Sequence, residues 1–222
     1  AGDAAREAFA EGARAPGRRG RLLADHAHFE LAQGNLGEAK RLADLAARER
    51  PRPLSSYLAS ADVAAADSRL GAALAIFDAA LGDYPQGQAA LLGKIRILDA
   101  LGRTSEARPL VVRALGQNPG DPDPVHLNAK LDARDGNWPK VREALQASEH
   151  ILDARPEANV LYAKALMEVG QPEQARARLA SQVLRTPGNR PARLLLGQPK
   201  LAMGDAAGAA ETLRPLSGLG DA

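Results

Sequence analysis

Residues 88–121 read QAALLGKIRILDALGRTSEARPLVVRALGQNPGD. The opening stretch, Ala89 to Leu101, is an apolar helical run interrupted by Lys94, Arg96 and Asp99 and stopped by Gly102. A glycine at a helix end can take the left-handed conformation that closes it. Thr104 is then expected as the N-cap of a second helix. Ser105 and Glu106 follow it in a first turn that suits acidic and polar groups. Ala107, Leu110, Val111, Ala114 and Leu115 share one face at helical spacing, the pattern of a buried stripe. Asn118-Pro119-Gly120-Asp121 ends the unit, because proline cannot donate into the helical ladder and Pro-Gly marks a turn. Two helices joined by so short a turn pack antiparallel, with the next pair stacked on top.

The same unit recurs along the chain. Gly34, Gly102, Gly136, Gly170 and Gly204 lie on a 34-residue grid, and Ser68 occupies the remaining point. Five residues after each point come Ala39, Ala73, Ala107, Val141, Ala175 and Ala209. Nine residues after come Ala43, Phe77, Val111, Leu145, Leu179 and Leu213. Seven residues before come Ala27, Ala61, Ile95, Ala129, Ala163 and Gly197. Pro51, Pro85, Pro119 and Pro187 close the units, with Asp153 the exception. Several columns of matched chemistry on one spacing are the signature of a stacked repeat array. Small residues inside each helix let neighbouring helices approach closely.

These columns resemble the tetratricopeptide repeat, which has a small residue near its position 8, then Gly, Ala, a large apolar residue and Pro at matching offsets. The resemblance covers the chain from residue 20. It implies an all-α fold, a right-handed α-solenoid of stacked antiparallel helix pairs, in six repeats: 20–53, 54–87, 88–121, 122–155, 156–189 and 190–222. The sequence departs from the family at position 7, where leucine is usual. That column holds His26, Ser60, Lys94, Asn128 and Tyr162, and only the last repeat has Leu196. Residues 1–19 read as a partial leading repeat, its second helix only, with Ala5, Phe9 and Pro16 near the matching columns and Gly2-Asp3 as a turn. A lone half-repeat cannot bury its apolar face, so the chain is expected to be part of a longer protein.

Composition narrows the function. The chain is 222 residues long with 3% aromatic residues, a level that a solenoid built from small Ala and Leu interfaces tolerates. There is no cysteine, which excludes disulfides and thiolate metal sites. No segment reaches the roughly 18 apolar residues of a membrane span. Twenty-nine basic and 27 acidic residues give a net charge of +2. That balance, with so few aromatics for stacking, argues against nucleic acid as a partner. His26 and His28, in the cluster Asp25, His26, His28 and Glu30, point about 200° apart on a helix and do not converge on a metal. No nucleophile elbow and no phosphate-cradling loop occurs in the sequence. No catalytic residue, cofactor or metal is therefore expected, and the chain is read as no enzyme. Trp138 reads as a core plug between the two helices of the fourth repeat. Pro199 falls inside an expected helix, which it should kink or break.

In the family that the chain resembles, the first helix of each repeat lines a concave groove. The positions carried over give Leu58, Leu92, His126 and Val160 in one column and Arg96, Lys130 and Lys164 in another. His126, Lys130 and Arg134 also fall at i, i+4, i+8 on one helical ridge that carries no acidic residue. The expected site is therefore a concave groove of Leu58, Leu92, Arg96, His126, Lys130, Arg134, Val160 and Lys164, holding a protein or peptide that is acidic with apolar anchors. The resemblance implies an interaction scaffold. The composition, rich in alanine, arginine and glycine, points to a bacterium, and the resemblance implies a multi-protein assembly of envelope or secretion type, in cytoplasm or periplasm. The alternative is a docking module of a larger enzyme whose catalytic domain lies outside this chain. A terminal repeat without a polar capping helix would also permit end-to-end self-association.

Overall fold

The fold comes from a computed structural model that describes residues 2–12, 18–119, 121–149, 155–202 and 206–214. Among these residues there are thirteen α-helices and no strand. The chain divides into two compact units, Ala1–Pro119 and Gly120–Ala222.

The first unit contains α1 (Gly2–Gly12), α2 (Arg19–Ala32), α3 (Leu36–Arg48), α4 (Leu54–Ala66), α5 (Leu70–Asp83), α6 (Gln88–Ala100) and α7 (Thr104–Gln117). Here α2 packs on α3, α4 on α5 and α6 on α7. The first helices of these pairs are neighbours, α2 to α4 to α6, and α3 also packs on α4 and α5 on α6. The second unit contains α8 (Pro122–Arg134), α9 (Trp138–Ala147), α10 (Pro156–Glu168), α11 (Pro172–Arg185), α12 (Arg190–Ala202) and α13 (Ala206–Leu213). It repeats the pattern: α8 with α9, α10 with α11, α12 with α13, and α8, α10 and α12 in succession.

The grid explains these pairs. Gly34, Gly102, Gly136 and Gly170 all have φ between 71° and 78°, the left-handed turn that reverses the chain between paired helices. Ser68 takes the same turn with φ 58° and is the one non-glycine with positive φ among the described residues. The small-residue columns form the core. Ala27, Ala61, Ile95, Ala129 and Ala163, then Ala39, Ala73, Ala107, Val141, Ala175 and Ala209, are at most 1% exposed. Ala43, Phe77, Val111, Leu145 and Leu179 are buried as well, while Leu213 is half-buried. Packing this close leaves no room for a larger or charged side chain.

Local details differ from the sequence reading at three places. Thr104 is the first helical residue of α7 rather than its cap. The cap position belongs to Arg103, whose guanidinium donates to Glu106 at 2.6 and 2.7 Å. Gly2 and Asp3 lie inside α1 and not in a turn. At Pro199 the helix is not broken, because α12 runs through it to Ala202. A proline inside a helix costs about 3 kcal/mol, and the buried Leu196 and Gly197 just before it pack α12 into the core of its unit. Pro16, Asp153, Gly204 and the tail after Arg214 lie outside the described residues.

Candidate functional site

Each first helix of the second unit begins at a fixed place. Asp121 caps α8 by accepting a hydrogen bond from the Asp123 backbone N–H at 2.9 Å, and Pro122 fills the first turn. Pro156 opens α10 in the same way. Asn189 caps α12 by accepting from the Ala192 N–H at 3.0 Å. Proline suits a first helical turn, where its missing N–H has no partner to lose. These starts set the register of the side chains on α8, α10 and α12.

On α8, His126 and Lys130 are half-buried and Arg134 is exposed. All three make interactions within the folded chain, so the ridge is not a row of bare charges. On α10, Val160 is half-buried and Lys164 exposed, one helical turn apart. The Lys164 ammonium sits 5.0 Å from the centroid of the Trp138 indole. Trp138 itself is half-buried against the core of the second unit, so its ring both packs and offers a face to a cation. A cavity of about 370 Å³ opens beside Val160. Pro156, Glu157 and Val160 line it from the start of α10, and Thr186, Gly188, Asn189 and Pro191 from the approach to α12. Its walls are mostly apolar.

The remaining candidates lie in the first unit. Leu58 on α4 is half-buried, Leu92 on α6 is buried and Arg96 on α6 is exposed. The neighbouring first helices α2 and α4 are bridged on this column by His28 Nε2 and Asp62 Oδ2 at 3.0 Å, two residues 34 apart.

Two polar networks escaped the sequence reading. The Glu30 carboxylate is buried and accepts from Arg6 Nε at 2.6 Å, Arg6 Nη2 at 3.2 Å and Asn35 Nδ2 at 2.6 Å, with His26 Nε2 at 3.3 Å. The Arg6 and Asn35 hydrogen bonds hold its pKa down at about 2. Phe9 stacks on the His26 ring at 4.9 Å, so α1 is fastened to α2 by charge and by rings together. In the second unit, Arg178 spans Tyr162, Asn159 and Glu149, and Asn159 donates to Gln182 at 2.9 Å. The contacts that tie each network together, Arg6–Glu30, Arg178–Asn159 and Arg178–Glu149, join residues 24, 19 and 29 apart, which no sequence pattern signals. Of the cavity's lining, Val160 was expected in the groove, while Thr186, Gly188 and Asn189 were legible only as residues around a turn. Among the described residues no group of three or more His, Asp or Glu is placed to hold a metal ion. Among the same residues no helix is long and apolar enough to cross a membrane.

Comparison with known proteins fits this architecture. Residues 64–131 match the tetratricopeptide repeat family. No curated protein matches the chain. A tetratricopeptide repeat protein from Parabacteroides merdae superposes with a TM-score of 0.74 at 18% identity, over 99% of this chain and 85% of its own. PilW, a type IV pilus biogenesis factor, superposes with a TM-score of 0.73 at 17% identity, over 88% of this chain and 92% of its own. YrrB, a repeat protein of the same kind with an unusual peptide-binding site, gives 0.56 at 16% identity, over 83% and 95%. At these identities the likeness establishes the fold, an all-α solenoid of stacked helix pairs.

Proposed function

We propose that this chain, a tetratricopeptide-repeat protein, is a scaffold that holds a partner peptide or protein on the faces of its first helices. Proteins of this fold generally serve protein–protein interaction, and the coarse assignment rests on the fold. The finer reading rests on one observation: the first-helix face of the second unit sets a mostly apolar cavity beside Val160 within one helical turn of Lys164. His126, Lys130 and Arg134 on α8 extend the basic character of that face, and Leu58, Leu92 and Arg96 are its counterparts in the first unit. Apolar anchors with cations beside them suit a segment that is acidic and carries apolar side chains. The division into six repeats, 20–53 through 190–222 after a partial repeat at 1–19, belongs to the same reading. So does a bacterial envelope or secretion assembly as its setting. That setting draws on composition and on PilW, a pilus biogenesis factor of like fold.

The test is a calorimetric titration, at moderate salt, of synthetic peptides rich in leucine and glutamate against the chain and against a Lys130→Glu, Arg134→Glu double variant. The variant should bind ten- to a hundredfold more weakly, a loss of about 1.4 to 2.8 kcal/mol. Affinity for the unaltered chain should fall as salt rises, because exposed charge pairs are screened. Equal binding by both proteins would remove the charged ridge from the site.

A further inference from the structure

We infer that the cavity between α10 and α12 takes one apolar side chain of the bound partner, while Lys164 takes a carboxylate two residues further along the same extended peptide. This inference rests on the groove reading above and gives its occupant a sequence pattern.

The geometry of α10 carries the argument. Val160 lines the cavity and Lys164 lies four residues on, along one ridge of the helix. Four residues span about 6 Å of helix axis. An extended peptide advances about 3.3 Å per residue, so its residues i and i+2 cover nearly the same distance. Residues i and i+2 of an extended chain also point to the same side, so both can face α10 at once. A helical partner would need a different spacing, i and i+4, to do the same.

Size and charge settle which group goes where. At about 370 Å³ the cavity lies near the small end of the roughly 300–1,000 Å³ found for ligand sites, room enough for a large side chain. Pro156, Val160 and Pro191 make it apolar. At one end of the ridge the exposed Lys164 ammonium lies 5.0 Å from the centroid of the Trp138 indole and offers a cation to a carboxylate. At the other end the exposed carboxylate of Glu157 lines the cavity and repels an acid. The acid of the partner therefore belongs on the Lys164 side of the anchor and not on the Glu157 side.

Gly188 provides a clean way to close the cavity. It lines the space, and a Cβ built on it meets nothing within 4 Å. Gly188→Leu should add a bulky apolar side chain to the lining without straining the fold. The experiment pans a phage-displayed library of random dodecapeptides against the immobilised full chain, Gly188→Leu, Lys164→Gln and Lys164→Arg, with thermal melts confirming that each variant is folded. The unaltered chain should enrich peptides with a large apolar residue and an acid at a separation of two. Gly188→Leu should lose the apolar preference and keep the acidic one. Lys164→Gln should lose the acidic preference, and Lys164→Arg should retain it. An enriched peptide should bind each loss variant about tenfold more weakly by fluorescence polarisation. Peptides that depend on Lys130 and Arg134 but ignore Gly188→Leu, or that show no fixed spacing, overturn this inference and leave the groove reading standing. A library from which no peptide is enriched by the unaltered chain overturns both.

Discussion

The phenyl ring of Phe77 rests directly on the Cα of Gly93: a Cβ built on Gly93 would stand 2.3 Å from Phe77 Cζ. Phe77 is the largest member of a column that holds Ala43, Val111, Leu145 and Leu179 in the other repeats, and the facing helix makes room for it by omitting a side chain. Gly93→Ala should therefore destabilise the first unit even though alanine favours the helix. Overpacking costs about 1–3 kcal/mol and the propensity gain returns up to about 1. The urea midpoint should fall, and Phe77→Leu added to Gly93→Ala should recover most of the loss. A midpoint that rises with Gly93→Ala alone would mean that the ring is free to move aside.

Ser68 stands where the other described grid points have glycine, with φ 58°. A side chain in the left-handed region costs about 1–2 kcal/mol, part of which glycine gives back through the greater freedom of its unfolded chain. Ser68→Gly should stabilise by roughly 0.5–1 kcal/mol, read as a raised melting temperature. Gly102→Ala, at the equivalent turn with φ 71°, should shift it the opposite way. Equal and negligible shifts would show that the turn relaxes to accept either residue.

The repeat columns made the fold legible because they are local chemistry at a fixed offset. A glycine that reverses the chain and an alanine that lets helices touch carry the same meaning wherever they occur. The polar networks were not legible, since Arg6 and Glu30 have no sequence relationship until α1 lies on α2. Trp138 shows the limit from another side. Its reading as a core plug pointed to packing, but the ring also lies beside the Lys164 ammonium, a contact between residues of two different helices. Pro199 does not break α12, which runs on to Ala202 with Leu196 and Gly197 buried just before it. The candidate cavity depends on a turn and a helix start converging, which residue types alone do not reveal.

The Tyr57 hydroxyl donates to the Asp83 carboxylate, and the Arg52 guanidinium lies 3.7 Å over the same ring. The hydrogen bond to Asp83, aided by burial, pushes the Tyr57 pKa above the ordinary 10.0. A raised value means the stabilisation is fully present below pH 10 and is lost as pH climbs through the folded-state value. Tyr57 should ionise above pH 10 in an ultraviolet pH titration. Asp83→Asn should bring its ionisation down toward the ordinary range. A titration unchanged by Asp83→Asn would remove the carboxylate as the cause.

Glu30 sets the acid limit of the first unit. Its pKa lies at about 2 in the fold against 4.5 for an ordinary glutamate, chiefly through the Arg6 hydrogen bonds and then Asn35. A depressed value means that the stabilisation is fully present above about pH 4.5 and is lost as pH falls toward 2. Within that window the buried carboxylate should stay ionised while exposed ones protonate, and α1 should stay fastened to α2. Nuclear magnetic resonance titration of the Glu30 carboxyl should place its midpoint near 2, and Arg6→Ala should move it upward. Arg6→Ala should also speed hydrogen exchange of the α1 amides at neutral pH, because both the ion pair and the reason for Phe9 to stack on His26 are weakened together. Glu30→Gln separates charge from shape: it keeps the volume and one acceptor for Asn35, yet removes the anion that the guanidinium needs. It should loosen α1 about as much as Arg6→Ala, and the two changes combined should cost little more than either alone, since they break one interaction. Fully additive losses would show that Arg6 and Glu30 act separately, and α1 would then be held by its rings alone.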